Sequence, residues 1–321
     1  MLVIPTNKKL GYPNDFRKFL DFKRFEKVCG DFVFVEGFFE KAHQWEQFNF
    51  SQKKLKEILT KRIVRLEIEE PNKFNLADNP DEYDHYFEKI FTICPYTAKW
   101  LNKRQVNNKR IPIYYPTNEN CIPEKTKKIY EVIYIGNLVS NKLINWLEIM
   151  SKFNYRWVSF SNHPLVTNRQ VTYKDKMQLL AQTKISIVHN VLFPRPYHIL
   201  NIWRAKDWRK NKAWKMIPTW REFWKIFTDK EMLIPQAKSR LFESALARNL
   251  ILCRKDPFNI IERYFEPGKE FIYFDDNNLG STIKMILSNY GRYEKVAENA
   301  FKRAQKNYTT RAFVKNYLSK I

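Results

Sequence analysis

Two charged residues on one predicted helix, spanning 236–249, lie one turn apart, where they could bind a ligand or pair with each other. At 100° per residue, one side of this helix is apolar and carries Ala237, Leu241, Phe242, Ala245 and Leu246. Arg240 and Glu243 fall together on the opposite side, which we expect to face away from the core. Arg240 and Lys238, near the positive helix start, could bind a diphosphate, and Glu243 could accept hydrogen bonds from ribose hydroxyls. The alternative is an exposed ion pair between Arg240 and Glu243, which contributes only about 0.2–0.5 kcal/mol.

A second candidate region is a basic, tryptophan-rich segment. About 45 residues separate the predicted strand ending at Asn190 from the helix starting near Gln236, too many for an ordinary strand-to-helix connection. Within this segment, residues 203–230 contain nine Lys or Arg and three Asp or Glu. Five of the nine tryptophans lie there: Trp203, Trp208, Trp214, Trp220 and Trp224.

Basic residues interleaved with aromatic rings are typical of three arrangements. They can stack on nucleic-acid bases, lie at an anionic lipid surface, or form a packed insertion with basic side chains over aromatic rings. We favour the packed insertion, with Trp208 and Trp214 beside the site of an acceptor substrate. Contact with anionic lipid is the second alternative and nucleic acid the third.

The composition is that of a folded protein with a high positive charge. The 321 residues are 44% hydrophobic and include only 7 Gly, which excludes a disordered or low-complexity chain. A net charge of +23 favours nucleic acid, an anionic membrane surface or phosphate-bearing molecules. The four cysteines stand far apart and suggest neither a zinc site nor a disulfide framework, which fits a reducing cytoplasm. We expect neither a signal peptide nor a membrane span, because no apolar run in the sequence is long enough for either.

The elements that must position these residues alternate between strands and helices. In the first third, β-branched and aromatic runs predict strands at 32–38, 62–68, 87–93 and 111–115. Later strands are predicted at 129–136, 155–160, 184–190, 250–255 and 270–275. Helices are predicted between and after them at 141–153, 173–183, 236–249, 257–265, 279–289 and 292–307. This order predicts a small α/β unit followed by a parallel sheet covered on both faces, with ligands bound at the carboxyl ends of its strands.

Short sequence words in the last third occur in an informative order. They are Arg240-Leu241-Phe242-Glu243, Asn249 through Cys253, Pro267-Gly268-Lys269-Glu270, Phe271 through Phe274, and Asn307-Tyr308-Thr309. Together they resemble the donor half of GT-B nucleotide-sugar glycosyltransferases, in particular the glycosyltransferase family 1 or CgeB-like group. The resemblance covers about 130–321 well and 1–128 only loosely. Many retaining members carry two glutamates eight positions apart; Glu243 matches the second, but Pro235 stands where the first would fall.

The resemblance implies an α/β fold of two Rossmann-like domains that face a cleft. Residues 1–128 would form the acceptor-side domain and 129–308 the nucleotide-sugar-binding domain, with the insertion at about 193–234. A tail, 309–321, would return towards the N-terminal domain.

Donor-binding residues follow from the same resemblance. Gly136 and Asn137 would line the turn that approaches the donor phosphates, and Asn190 ends the predicted strand 184–190 at the same sheet edge. Lys238 and Arg240 would neutralise the leaving diphosphate, and Glu243 would hold ribose. Each also has a structural alternative: Gly136 can be a simple turn residue and Asn190 a buried, hydrogen-bonded amide.

The implied function is transfer of a hexose from a UDP- or GDP-sugar to a glycan or lipid-linked glycan, as in assembly of surface polysaccharide or lipopolysaccharide. We expect no metal, because no Asp-x-Asp motif follows a suitable strand. We also expect a location in the cytoplasm or at the inner face of the membrane.

An inverting reaction needs a general base, for which the N-terminal half offers Glu36, Glu40, His43, Glu69, Glu70, Asp78 and His85. Glu36 and Glu70 stand at or just after strand ends, although either can equally be a surface carboxylate. The alternative function is a non-enzymatic, basic nucleic-acid-binding protein.

Overall fold

The computed structural model describes most of the C-terminal half and separate stretches of the N-terminal half. The described residues are 2–5, 33–36, 63–67, 87–93, 95–102, 110–138, 141–192 and 234–318. The chain divides into two compact units. The first comprises 1–115, 193–236 and 314–321, and the second comprises 116–192 and 237–313.

The described part of the first unit contains a parallel sheet in which the strand order follows the chain. Its strands are β1 (Leu2–Pro5), β2 (Val33–Glu36), β3 (Ile63–Glu67), β4 (Lys89–Thr92) and β5 (Arg110–Pro112). Helix α1 (Pro95–Asn102) lies between β4 and β5 in sequence. Apolar strand residues such as Val64, Leu66, Ile90 and Phe91 are buried, as expected where both faces of a parallel sheet are covered.

The second unit has its own parallel sheet, with a different strand order. The strands are β6 (Tyr130–Ile135), β7 (Tyr155–Val158), β8 (Thr183–Val188), β11 (Leu250–Arg254) and β12 (Ile272–Phe274), arranged β12-β11-β8-β6-β7. Every neighbouring pair is parallel. Two short strands, β9 (Val191–Leu192) and β10 (Ile234–Pro235), flank residues 193–233 in the sequence.

Helices connect and cover the strands of the second unit. They are α2 (Asn141–Met150), α3 (Tyr173–Ala181), α4 (Ser239–Leu246), α5 (Leu279–Ser288) and α6 (Tyr290–Asn307), and α7 (Thr310–Asn316) follows them. Trp146 and Leu147 of α2 and Phe242 of α4 are almost fully buried. Helix α4 therefore packs as a core element of the unit.

The prediction of an α/β fold with parallel sheets is confirmed, and most predicted elements lie within a few residues of their observed bounds. The predicted α-helix 257–265 is wrong, because only Ile260–Arg263 form a short 3-10 helix. Asn259 before it has a left-handed φ of 47°, and the carboxylate of Asp256 accepts a hydrogen bond from the Phe258 N–H at 2.8 Å. This local turn competes with a longer helix. Strand β1 and helix α1 were not predicted.

Candidate functional site

The strand order of the second unit creates a crevice at the carboxyl ends of β6 and β8. From β6 the chain crosses to β7 on one side and then to β8 on the other, and ligands bind α/β sheets where the order reverses in this way. Gly136 follows β6, and His189 and Asn190 follow β8. The first turn of α4 brings Arg240 to the same place.

A side chain at Gly136 would displace its neighbours and strain the backbone. Its φ is +151°, and a Cβ atom there would lie 2.6 Å from Nη1 and 2.9 Å from Nη2 of Arg240. Its N–H donates to the carbonyl of Val158 at 3.0 Å, and its own carbonyl accepts from the indole N–H of Trp157 at 2.8 Å. Because both backbone groups are bonded to β7, the guanidinium of Arg240 rests on a fixed surface.

Arg240 places a positive charge above this turn and has a hydrogen-bond donor that is not used. Its Cζ atom lies 5.2 Å from the centroid of the Tyr134 ring, within the range of a cation–π contact. Nη1 is buried and has no hydrogen-bond partner among the described residues. A buried donor without an acceptor is costly, so this atom is suited to an anionic ligand that supplies one.

A hydrogen-bonded pair, Tyr134 and His189, lies behind Arg240. Nδ1 of His189 is 2.9 Å from the Val191 carbonyl, which can only accept, so Nδ1 carries the proton. Burial, together with the nearby charges of Arg240 and Lys238, keeps the pKa of His189 well below its usual value, and the ring is neutral. Nε2 therefore accepts from the Tyr134 hydroxyl at 3.0 Å.

Glu243 occupies a buried site that the helix pattern did not predict. We expected it to face away from the core, but its side chain is only 2% exposed. That expectation was wrong because Lys176 of α3 packs over this side of α4, and its Nζ donates to Oε1 of Glu243 at 2.9 Å. The predicted alternative, a pair between Arg240 and Glu243, is replaced by this one. Oε2 of Glu243 is buried and has no hydrogen-bond partner among the described residues.

Lys238 and Asn137 stand at the rim of the crevice. Lys238 is the N-cap of α4, in extended conformation, with no side-chain cap hydrogen bond. Asn137 is exposed, and its Oδ1 accepts from the Phe160 N–H at 3.0 Å. This bond joins the turn after β6 to the turn after β7.

Asn190 is fully buried at the end of β8. Its Nδ2 donates to the sulfur of Cys253 at 3.6 Å, and its Oδ1 is buried without a hydrogen-bond partner in the described part of the chain. Burial raises the pKa of Cys253 well above its usual value, so this sulfur belongs to a neutral thiol. The contact is the structural alternative that the sequence offered for Asn190, while a role in ligand binding stays a prediction.

Several predicted residues cannot be placed. Glu36 is the last residue of β2, but its side chain lies outside the described part of the structure, as do all of Glu70, Trp208 and Trp214. Their predicted roles therefore remain predictions. Conversely, Tyr134, Lys176 and Trp157 were missed, since nothing in the sequence distinguishes them from ordinary strand or helix residues.

Two further features are absent from the described residues. Within them, no group of three or more His, Cys, Asp or Glu side chains could hold a metal ion. Within the same ranges, no helix is both long and apolar enough to cross a bilayer.

Residues 132–319 match the model of a family described as glycosyl transferase-like. No curated protein matches the sequence significantly. Among solved structures, the fold is similar to a variant of S. aureus TarM in complex with fondaparinux, α-GlcNAc-glycerol and UDP, with 10% identity and a TM-score of 0.53. That likeness covers 92% of this chain but only 57% of TarM.

Two further structures are similar. Anabaena HepE in complex with UDP-glucose shares 10% identity and a TM-score of 0.53, covering 93% of this chain and 81% of HepE. The pneumococcal O-GlcNAc transferase GtfA, in complex with UDP and GlcNAc, shares 9% identity and a TM-score of 0.50, covering 93% of this chain and 58% of GtfA. At such identities these likenesses show the fold, and this chain spans little more than half the length of TarM and GtfA.

Proposed function

The chain belongs to the glycosyl transferase-like family, and from that premise we propose that it transfers a sugar from a nucleotide-diphospho-sugar to a glycan or lipid-linked glycan. The observation that carries the proposal is the guanidinium of Arg240, seated on Gly136 at the β6–β8 crevice with a buried Nη1 that lacks an acceptor. A diphosphate supplies acceptor oxygens and negative charge at that point.

The donor would be held by residues of the second unit. Arg240 and Lys238 would neutralise the charge that develops on the leaving diphosphate, a role that a metal ion has in other transferases. Oε2 of Glu243 would accept from a ribose hydroxyl, while Lys176 holds the other carboxylate oxygen. Asn137 and Asn190 would complete the site from the ends of β6 and β8.

The acceptor side rests on the sequence. We propose that the N-terminal domain, residues 1–128, presents the acceptor and contributes Glu36 or Glu70 as base if the reaction inverts. The insertion, with Trp208 and Trp214, would border the acceptor, and the tail 309–321 would return towards this domain. Glycan ligands in the similar TarM structure support a polysaccharide acceptor, and the net charge of +23 supports contact with an anionic membrane surface at the cytoplasmic face.

Calorimetry with UDP and GDP in EDTA tests the donor site. We expect one of them to bind without added divalent metal, and Arg240→Met to weaken that binding about 100-fold, because charge-assisted hydrogen bonds are lost. Arg292→Met, at an exposed position in the first turn of α6, is the control and should bind normally. Binding that requires Mg²⁺ or Mn²⁺ would exclude metal independence, and no binding under any condition would exclude the donor site.

The acceptor assignment has a separate test. Trp208→Ala combined with Trp214→Ala should impair transfer to an acceptor while UDP or GDP binding and slow hydrolysis of the donor persist. A loss of nucleotide binding in this variant would contradict a role confined to the acceptor.

A further inference from the structure

The cation at the crevice is supported by a ring rather than by a carboxylate. Among the described residues, Arg240 has no ion-pair partner, and its Cζ lies 5.2 Å from the Tyr134 ring centroid. The hydroxyl of Tyr134 lies 2.9 Å from the position that a Cβ on Gly136 would take, beside both guanidinium Nη atoms. The guanidinium is thus confined between a ring face and a backbone turn.

The Tyr134 ring is fixed in turn by His189. The neutral imidazole accepts from the tyrosine hydroxyl at 3.0 Å, and its other nitrogen donates to the Val191 carbonyl at 2.9 Å. The two rings lie 6.0 Å apart at an interplanar angle of 21°. A hydroxyl that donates to a neutral acceptor enriches the ring in electron density, which strengthens its attraction for a cation.

We propose that Tyr134, held by the neutral His189, is a positioning residue that orients Arg240 towards the donor diphosphate. The inference rests on the proposed function for its ligand. A ring support leaves the charge of Arg240 uncompensated, whereas a carboxylate partner would consume the hydrogen bonds that the diphosphate needs. Tyr134 itself does not touch the reacting atoms, so its effect should be confined to ligands that reach Arg240.

Two conservative variants break the pair in different places. Tyr134→Phe keeps the ring and removes the hydroxyl, and His189→Asn keeps a donor for the Val191 carbonyl while it removes the Nε2 acceptor. We measure affinity for UDP and UMP, and for GDP and GMP in parallel. Each variant should weaken diphosphate binding about fivefold, the effect of one hydrogen bond, and leave monophosphate binding within about twofold.

Combination with Arg240→Met separates positioning from folding. In that background Tyr134→Phe should cause no further loss for UDP or GDP, because its effect passes through Arg240. Tyr290→Phe is the matched control, since it removes a hydroxyl bonded to the Lys184 carbonyl at 3.2 Å, at the amino end of β8. Equal losses for diphosphate and monophosphate, full additivity with Arg240→Met, or the same selective loss in Tyr290→Phe would overturn the proposal.

A measurement without nucleotide tests the role of Tyr134 independently of the proposed function. Nitrogen-15 NMR of arginine side chains should show slow rotation of the Arg240 guanidinium in the wild type and faster rotation in Tyr134→Phe. Unchanged rotation overturns the positioning role even if nucleotides bind. Failure of the wild type to bind any nucleotide, with the expected change in rotation, contradicts only the proposed function.

Discussion

The two ends of helix α4 differ in whether the polar groups near them have hydrogen-bond partners. In the first turn, Nη1 of Arg240 is buried without a hydrogen-bond partner among the described residues, and Oε2 of Glu243, one turn further on, is in the same state. Beyond the other end, the Nζ of Lys128 donates to the carbonyls of Arg248 and Ala247 at 3.0 and 3.4 Å. Arg248 stacks on the Phe301 ring, with its Cζ 3.5 Å from the centroid.

This difference in hydrogen bonding indicates that one end of the helix serves ligand binding and the other serves stability. Carbonyls at a helix end are short of donors, and a lysine that supplies them satisfies both sides at once. Charged atoms left unsatisfied cost stability and are expected where a ligand completes them. The start of α4 therefore has the properties of a binding site, and the end those of a structural cap.

The largest expected effect on nucleotide binding comes from adding a methyl group at Gly136, beside Arg240. Gly136→Ala places a Cβ 2.6 Å from Nη1 of Arg240, which forces the guanidinium away and should weaken UDP or GDP binding about 100-fold, as for the loss of charged hydrogen bonds. Calorimetry measures it. Gly268→Ala is the control, because Gly268 also has a positive φ, +75°, but no atom lies within 4 Å of its Cβ position. Similar losses in both variants would mean that backbone strain, and not Arg240, is responsible.

Lys128, beyond the other end of α4, should make the free energy of unfolding depend on pH and should have no effect on nucleotide binding. Burial is the main cause that lowers the pKa of Lys128 to about 7 from an ordinary value of 10.5. Above pH 7 the unfolded chain then binds more protons at this group than the folded chain, so the wild type gains stability as pH rises from 7 towards 10.5. Relative to Lys128→Met, the gain between pH 7 and 8.5 should be about 2 kcal/mol. Urea unfolding of both proteins at the two pH values measures it, and an equal response would contradict the assignment.

A smaller effect is expected from one atom of Glu243. Glu243→Gln removes the charge and replaces an acceptor oxygen, so UDP or GDP affinity should fall about tenfold. The preference for the ribonucleotide over its 2′-deoxy analogue should fall with it. Glu298→Gln, whose carboxylate lies 3.7 Å from Nε of Arg248 at the other end, should leave both values unchanged. A preference for the ribonucleotide that persists undiminished in Glu243→Gln would contradict contact between Glu243 and the ribose.

The sequence predicted the frame of this site better than its contacts. Continuous apolar runs identified β6, β8 and β11, because buried parallel strands leave that signature. The helix pattern misplaced Glu243, since periodicity assumes one buried face and α4 is covered on both sides. The pairing of Lys176 with Glu243 joins residues 67 positions apart, and no local rule predicts such a contact. Tyr134 was missed for the same reason, because its partner His189 lies 55 residues later in the sequence.

Because Gly136 and Arg240 approach so closely, a substitution at one position affects which residues the other can carry. A residue with a Cβ at position 136 would force the guanidinium of Arg240 out of its present place, since that group and the Tyr134 hydroxyl fill the space. Among related sequences, glycine after β6 should therefore covary with arginine in the first turn of α4. A lineage that loses one of them is expected to have lost the other, and to bind its phosphate groups by different residues.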